Sequence, residues 1–270
     1  MKKALIIIFS AGLLMTIGFG IAAYVEGKKL AQQTDHPMHY EKDYANQDAE
    51  IKKLDIKTQA SDIKIKRGQH FNVKGEGGIK GKNSISSSVE NGTLKVQEHY
   101  RQPTINFRFD GHKSSEVTIT VPDRLLDEVV INNDTTDITI EDLKSESLRT
   151  QVDTGDLTLK TSHIERIDTK SDTGDILIDR TEFKDLKLEN DVGDSIIKGI
   201  KGDANIKAVT DTGDITVKYD QAPHNTKLEN DSDEDTSSID VYQPELKAKQ
   251  YGKGTYTLQL QTDTGAIEVH

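Results

Sequence analysis

The residues best suited to chemistry in this chain are aspartates in a repeated Asp-Thr-Gly triplet. The triplet begins at Asp153, Asp172, Asp211 and Asp263, and a variant with valine at its centre begins at Asp191. Aspartic proteases use the same triplet, but they need two of these aspartates to face each other across a cleft and share a proton. Here the copies between 153 and 211 begin 19 or 20 residues apart. This regular spacing favours a structural repeat over a catalytic pair.

A second aspartate follows the glycine in most copies and raises the question of metal binding. It occurs at Asp156, Asp175, Asp194 and Asp214, and stacked copies would bring these carboxylates into one column of oxygen ligands, which Ca²⁺ prefers. Calcium-binding β-rolls, however, repeat a shorter phrase with paired glycines. We therefore predict no metal and no cofactor. We interpret the acidic run at 231–235 as a solvated loop.

A polysaccharide-acting enzyme would need a basic side chain beside carboxylates in a groove. His163 and Arg166 are the pair of interest in the repeats, and the chain has no Trp and only 5% aromatic residues with which to stack on sugar rings. We expect both side chains to lie on the surface. The sequence thus predicts no catalytic residue, and we interpret the protein as a non-enzyme.

The repeated unit has the pattern of two short strands joined by a turn. Apolar residues recur five positions before the first aspartate and four and six positions after it, as at Leu148, Leu157 and Leu159. Alternation with period two is typical of strands, and a unit of this size cannot bury its own apolar side chains unless copies stack. The sequence therefore predicts an all-β fold, a parallel β-solenoid of 19–20-residue repeats, over residues 123–270.

The triplet is predicted to form the corner of each unit. Glycine adopts positive φ at no steric cost, and the Asp and Thr before it are expected to hydrogen-bond nearby backbone amides. The predicted turn residues are Asp153, Thr154, Gly155, Asp172, Thr173, Gly174, Asp191, Gly193, Asp211, Thr212, Gly213, Asp263, Thr264 and Gly265.

The array has irregular parts at both ends. Residues 48–122 alternate with period two and contain the hairpin signal Asn91-Gly92, so we predict a β-rich part that caps the repeats or leads into them. Near 231 the triplet is replaced by the acidic loop. An insertion is predicted over 231–257, ahead of the final unit.

The N-terminus carries a candidate membrane segment. Lys2 and Lys3 precede an uncharged, apolar run over residues 4–25, which is long enough for a membrane-spanning helix of about 20 residues. Its length favours an uncleaved anchor over a cleaved signal peptide. Residues 26–47 are predicted to be a polar linker, and the remaining chain is expected outside the membrane.

The composition argues against some classes of partner and of chemistry. The formal net charge of −11 argues against nucleic acid, because nucleic acid is bound mainly through Lys and Arg. The chain has no cysteine, so disulfides, thiolate metal sites and thiol nucleophiles are excluded.

The phrases Asp172-Thr173-Gly174-Asp175-Ile176 and Asp211-Thr212-Gly213-Asp214-Ile215 resemble those of the putative-adhesin domain family of bacterial envelope proteins, a domain family of unknown function. The resemblance covers roughly residues 48–270. With its N-terminal span the chain looks most like LiaG-type membrane-anchored proteins, which are associated with cell-envelope stress operons. The resemblance implies a β-solenoid displayed outside the membrane, and it supplies no catalytic residue.

Together these features predict a single-pass, extracytoplasmic, non-enzymatic binding, adhesin-like or scaffold protein of the cell envelope. The expected partners are the membrane, through residues 4–25, and envelope proteins or cell-wall polymers. The alternative is a regulator or sensor that acts on a membrane partner through the N-terminal helix. A polysaccharide-acting enzyme is a further, less favoured alternative.

Overall fold

The computed structural model describes residues 19–22, 24–26, 38–77, 83–100, 115–229 and 239–270. The strands in chain order are β1 (Met38–Asp43), β2 (Lys53–Thr58), β3 (Ser61–Gly68), β4 (Asn72–Gly77), β5 (Asn83–Glu90), β6 (Thr93–Tyr100), β7 (Ser115–Pro122), β8 (Glu128–Thr135), β9 (Ile138–Glu141), β10 (Lys144–Thr154), β11 (Leu157–Lys160), β12 (His163–Thr173), β13 (Ile176–Asp179), β14 (Asp185–Val192), β15 (Ser195–Lys201), β16 (Asn205–Thr212), β17 (Ile215–Gln221), β18 (Thr226–Glu229), β19 (Ile239–Val241), β20 (Tyr256–Thr264) and β21 (Ile267–Val269). Two 3-10 turns span Ala45–Gln47 and Pro244–Leu246.

The strands form two sheets, and the chain alternates between them. Sheet A has the order β1-β4-β7-β3-β9-β11-β13-β15-β17-β21-β19, and sheet B has the order β18-β20-β16-β14-β12-β10-β8-β2-β6-β5. One strand from each sheet makes a rung. The prediction of an all-β fold is confirmed, and the mostly parallel pairing agrees with a solenoid.

Register follows the repeat period. Leu148 pairs with Val129 on one side and with Ile167 on the other, and Leu157 pairs likewise with Ile138 and Ile176. The alternating apolar side chains are buried in both sheets and belong to one continuous hydrophobic core. Burying an aliphatic side chain of this size contributes about 1.5–3 kcal/mol, so the stacking of rungs supplies the core that a single rung lacks.

The second corner of each central rung has a left-handed backbone without glycine. Asp142, Thr161 and Arg180 have φ values of 57°, 48° and 48°, and the next rung has Gly199 in this position, with φ 75°. A β-branched residue at positive φ is strained. The strained backbone of Thr161 is stabilised by the neighbouring rung, because its amide donates a hydrogen bond to the carbonyl oxygen of Asp179 there at 3.0 Å.

Rung order at the C-terminal end departs from chain order. β20 lies between β16 and β18, and β21 lies between β17 and β19, so the final unit is inserted inside the rung that precedes it in sequence. Gly265 explains this order: it stacks on Gly213, whose carbonyl oxygen would lie 2.1 Å from a Cβ at position 265. A complete Asp-Thr-Gly unit thus pairs with another complete unit, and the rung formed by β18 and β19 lies outermost.

The N-terminal β-rich part extends the array. β2 and β3 pair in parallel with β8 and β9, and β6 and β7 add a further parallel rung on their other side. β4, β5 and β1 then pair antiparallel and end the sheets. Part of the segment predicted as linker is therefore a strand: β1 occupies residues 38–43 because Met38 is buried there and Tyr44 follows it into the core.

The turn between β2 and β3 has no Asp-Thr-Gly triplet and is held by a buried carboxylate. Glu98 of β6 is 6% exposed. Its Oε2 accepts hydrogen bonds from the amides of Gln59, Ala60 and Ser61 at 2.9, 2.9 and 3.1 Å, and its Oε1 accepts the Ser61 hydroxyl at 2.6 Å. Nothing in the local sequence of this turn signals that dependence.

The predicted anchor at 4–25 lies largely outside the described residues, as does the acidic run at 231–235. Of the anchor, residues 19–22, 24 and 25 are described and are helical. Within the described ranges, no helix has the length and apolar character that crossing a membrane would need.

Candidate functional site

The predicted turn residues lie at the bend between a sheet B strand and the following sheet A strand. The glycines have φ between 136° and 156°, with Gly155 at 136° and Gly174 at 141°. A Cβ on Gly174 would lie 2.1 Å from the carbonyl oxygen of Gly155, and Gly193 and Gly213 meet the preceding corner glycine at the same distance. Each corner thus requires glycine for its own backbone and for the rung beside it.

The aspartate after the glycine links each corner to the next. The amide of Asp175 donates to Oδ1 of Asp156, the amide of Asp194 donates to Oδ1 of Asp175, and the amide of Asp214 donates to Oδ1 of Asp194, each at 2.9 Å. The amide of Ala266 ends the series by donating to Oδ1 of Asp214 at 2.7 Å. The column of aspartates that the sequence brought into question for Ca²⁺ forms a hydrogen-bond ladder between successive corners.

The first aspartate and the threonine of the triplet do not make the bonds that we expected of them. Asp153, Asp211 and Asp263 are exposed, and Asp172 and Asp191 are half-buried. Thr154, Thr173, Thr212 and Thr264 are exposed. At these corners, as far as the structure describes them, the side chain that accepts a hydrogen bond from a neighbouring corner amide belongs to the fourth residue of the phrase.

Buried polar side chains behind the corners form a column that was not predicted from the sequence. Nδ2 of Asn190 donates to the carbonyl oxygens of Gly174 and Gly193 at 3.1 and 3.0 Å, and the Thr262 hydroxyl donates to the carbonyl oxygen of Gly213 at 2.9 Å. These residues stand three positions before a corner glycine. That spacing, shared by Asn190 and Thr262, is the sequence signal for this column.

The corners offer no facing pair of aspartates. Thr154 pairs with Thr173 in parallel register, so the triplets follow one another along a single edge of the array. Among the described residues, no three His, Cys, Asp or Glu side chains gather as a metal site would require. His163 contacts Glu182 at 3.1 Å on the exposed surface, and its hydrogen bond lowers the pKa of the Glu182 carboxyl.

Two grooves lie on the outward surface of sheet B in the part of the chain that the structure describes, and we call this surface the polar face. The larger groove has a volume of about 560 Å³, and the smaller one about 380 Å³. The larger groove crosses β12, β14, β16, β20 and β18, and its polar lining consists of Arg166, Asp168, Asp185, Lys187, Asn205, Lys207, Glu229, Thr257 and Gln259. The smaller groove crosses β6, β2 and β8, and its polar lining consists of Lys53, Asp55, Lys57, Thr93, Lys95, Glu128 and Asn132.

Ion pairs order the long side chains of this face. Lys187 lies 2.8 Å from Glu189, and their hydrogen bond lowers the pKa of the Glu189 carboxyl and raises the pKa of Lys187. Lys53 lies 3.0 Å from Glu128 beside the smaller groove. Of the pair considered for polysaccharide chemistry, Arg166 lines the larger groove, whereas the groove lining does not include His163.

Comparison with known proteins places the chain in a family. The profile of the Toastrack DUF4097 family matches residues 51–268. The chain belongs to this family. The match begins at the buried Ile51 and ends in β21, so the Toastrack DUF4097 region contains the repeat corners, the inserted final unit and both grooves.

Solved structures similar to this Toastrack DUF4097 chain include two bacterial proteins. One is a putative cell adhesion protein from Clostridium sporogenes, with 13% identity and a TM-score of 0.40; the alignment covers 87% of this chain and 99% of that one. The other is a putative adhesin from Bacteroides fragilis, with 13% identity, a TM-score of 0.47, and coverage of 88% and 98%. A search of curated proteins gave no significant match.

Proposed function

We propose that this protein is a non-enzymatic binding protein of the cell envelope and that its polar face holds an extended, hydrophilic polymer. The observation that carries the proposal is the pair of grooves on one face of one sheet. The strands that line them are successive neighbours in sheet B, separated only by β10. A ligand that fills both grooves must therefore extend along the stacking direction.

The lining of the grooves indicates the kind of ligand. Among the residues that the structure describes, no aromatic side chain lines either groove, and the polar contacts on offer are amides, hydroxyls and charges, which exchange hydrogen bonds with polar groups. Apolar groups also contribute to the lining, from Ile167, Leu186 and Ile206 in the larger groove and from Leu54 and Val130 in the smaller one. Cell-wall polymers, which are long and rich in hydroxyl, amide and charged groups, match it in shape and chemistry.

The membrane anchor and the extracytoplasmic location belong to the same proposal. They are supported by the uncharged run at 4–25 behind Lys2 and Lys3. The resemblance to LiaG-type proteins supports a role in the envelope stress response. In this arrangement the anchor holds the polar face close to the cell wall, where the local polymer concentration is high.

Cosedimentation with isolated cell-wall sacculi tests this function. The full-length chain, purified in detergent, is expected to pellet with the sacculi saturably. Lys187→Trp and Asn132→Trp place a bulky side chain in the larger and the smaller groove and should lower the bound fraction by blocking them. Both variants should fold, because outward strand positions tolerate aromatic residues. Thr158→Trp, on the outward side of sheet A, is the matched control and should bind like the wild type.

Equal binding by all three variants would contradict the assignment of the polar face. A regulatory role through the N-terminal segment is the second candidate, favoured by the exposed Phe19 and Ile21 on its described helical part. Replacing residues 4–25 with an unrelated membrane anchor separates the two functions. An unchanged envelope-stress phenotype would favour the ectodomain, and its loss would favour the helix.

A further inference from the structure

We infer that the larger groove recognises an anionic group of its ligand, a phosphate or a carboxylate, through Arg166 and Lys207. This inference rests on the proposed function, since it names the chemistry by which the polar face would hold its polymer. It starts from the charged side chains that line the groove. Some of these side chains form ion pairs or hydrogen bonds with other side chains, and two of the cations do not.

The carboxylates of the groove all have polar partners within the protein. Asp168 lies 3.7 Å from Nε of Arg149, Asp185 accepts a hydrogen bond from Nδ2 of Asn205 at 2.8 Å, and Glu229 forms an ion pair with Lys227. Asp168 and Glu229 thereby face a cation, whereas Asp185 keeps its negative charge because its partner Asn205 is neutral. A cationic ligand group would have to compete with these contacts.

Two of the cations lack such partners. Lys187 is paired with Glu189, whereas Arg166 and Lys207, both exposed, have no ion pair or side-chain hydrogen bond to any residue that the structure describes. A guanidinium matches the geometry of phosphate and carboxylate through parallel hydrogen bonds, and an ammonium acts as a point charge. Arg166 and Lys207 are therefore the cations of the groove with the fewest close partners, and Lys207 acts on Glu189 at longer range.

The backbone places these two cations on either side of one strand. Arg166 on β12 and Asn205 on β16 both align with Asp185 of β14, and Lys207 follows Asn205 by two residues. Strand spacing and rise then separate their backbones by about 12 Å. Two long side chains can converge across this distance on one anionic group above β14, where Lys187 adds a third, partly neutralised cation.

The net charge of −11 opposes the approach of a polyanion at long range, but this repulsion is screened beyond about 8–10 Å at physiological ionic strength. Contacts within the groove are shorter than this length. The local cations therefore determine whether the ligand is held once it arrives. Raising the salt concentration should weaken the contact itself.

Three soluble polymers test the inference with the full-length chain in detergent. Poly(glycerol phosphate) supplies phosphates, polygalacturonate supplies carboxylates, and dextran supplies neither; binding is measured by titration calorimetry. The wild type should bind at least one of the anionic polymers and bind dextran more weakly. Arg166→Gln combined with Lys207→Gln should raise that Kd about tenfold or more, since charged hydrogen bonds are the stronger class.

The matched control is Lys160→Gln combined with Lys218→Gln, which removes the same charge from sheet A and should leave the Kd unchanged. Binding of the phosphate polymer alone, the carboxylate polymer alone, or both supports the inference and identifies the source of the anion. Equal affinity for dextran, or an unchanged Kd in the Arg166 and Lys207 variant, overturns it.

The sacculus assay keeps this failure separate from failure of the proposed function. If the Arg166 and Lys207 variant cosediments like the wild type while Lys187→Trp does not, the anion assignment is wrong and the polar face still binds polymer. If the wild type fails to cosediment, the proposed function itself is wrong.

Discussion

Replacing Gly174 with alanine should destabilise the protein far more than a typical Gly→Ala substitution in a turn. With φ at 141°, the backbone of any other residue is strained there by about 1–3 kcal/mol. The new Cβ would also lie 2.1 Å from the carbonyl oxygen of Gly155. Because that atom belongs to the neighbouring rung's backbone, the two rungs must separate to relieve the contact.

That separation lengthens hydrogen bonds that join the two rungs at the corner. The amide of Gly155 donates to the carbonyl oxygen of Thr173 at 2.9 Å, and the amide of Asp175 donates to Oδ1 of Asp156 at 2.9 Å. Each such bond contributes about 1 kcal/mol net. With the backbone strain, the expected loss in the free energy of unfolding is about 3–5 kcal/mol.

Gly202→Ala is the matched control. Gly202 also has positive φ, at 83°, but a Cβ there meets no atom within 4 Å. It should therefore lose only about 1 kcal/mol, from the backbone alone. Both variants are compared with the wild type by urea unfolding followed by circular dichroism, with thermal unfolding as a second measure.

The difference between the two variants isolates the stacking of the corners. Since 1 kcal/mol shifts the Tm of a domain of this size by roughly 2–4 °C, a loss of about 3–5 kcal/mol in Gly174→Ala should lower the Tm by roughly 6–20 °C. Equal losses in the two variants would refute the argument that each corner glycine makes room for its neighbour.

Further predictions concern contacts made by single side chains. Asp175→Asn keeps the Oδ1 acceptor and should change stability by less than about 0.5 kcal/mol, whereas Asp175→Ala should lose about 1 kcal/mol by urea unfolding. Glu98→Ala leaves three turn amides and a hydroxyl without their acceptor and should cost about 3 kcal/mol or more; a loss below 1 kcal/mol would contradict its role in the β2–β3 turn. Thr161→Gly relieves a strained φ of 48° and should raise the free energy of unfolding by about 0.5–1 kcal/mol, while a decrease would show that the threonine side chain matters more. The hydrogen bond from Lys184 lowers the pKa of Glu165, so its stabilising effect is present above the ordinary glutamate pKa of about 4.3 and is lost as the pH falls through the lowered value; Lys184→Gln should be less stable than the wild type at neutral pH, and this difference should shrink in acid.

The repeats allowed much of the fold to be predicted, because in a parallel solenoid the sequence period is also the register. Aligning Leu148 with Ile167 and Leu157 with Ile176 in sequence aligned them in space. A local pattern was sufficient there, since each strand's partner is simply the next copy. The order of the last two rungs was not predictable in this way, because it depends on which corner can stack on Gly213.

The features that the sequence did not reveal depend on residues distant in the chain. β1 was predicted as part of the linker because its alternation is short. The strand is stabilised by the burial of Met38 against the core, which the local sequence does not show. The hydrogen bonds of the corner were expected from Asp153 and are made by Asp156, because the two aspartates are equally plausible turn residues until the next rung supplies an amide. The grooves arise from side chains on five or three different strands, and no single repeat contains enough of the lining to show them.

The inserted final unit imposes an order on assembly. β18 and β19 pair directly with β20 and β21, which come later in the chain, so the outermost rung has no place to dock until residues 256–269 have been synthesised. Until then, β16 and β17 present unpaired strand edges, and such edges recruit other chains. The segment that is synthesised last therefore joins the outermost rung to the rest of the array. Mutations that weaken it should increase aggregation during synthesis more than they reduce the stability of the completed protein.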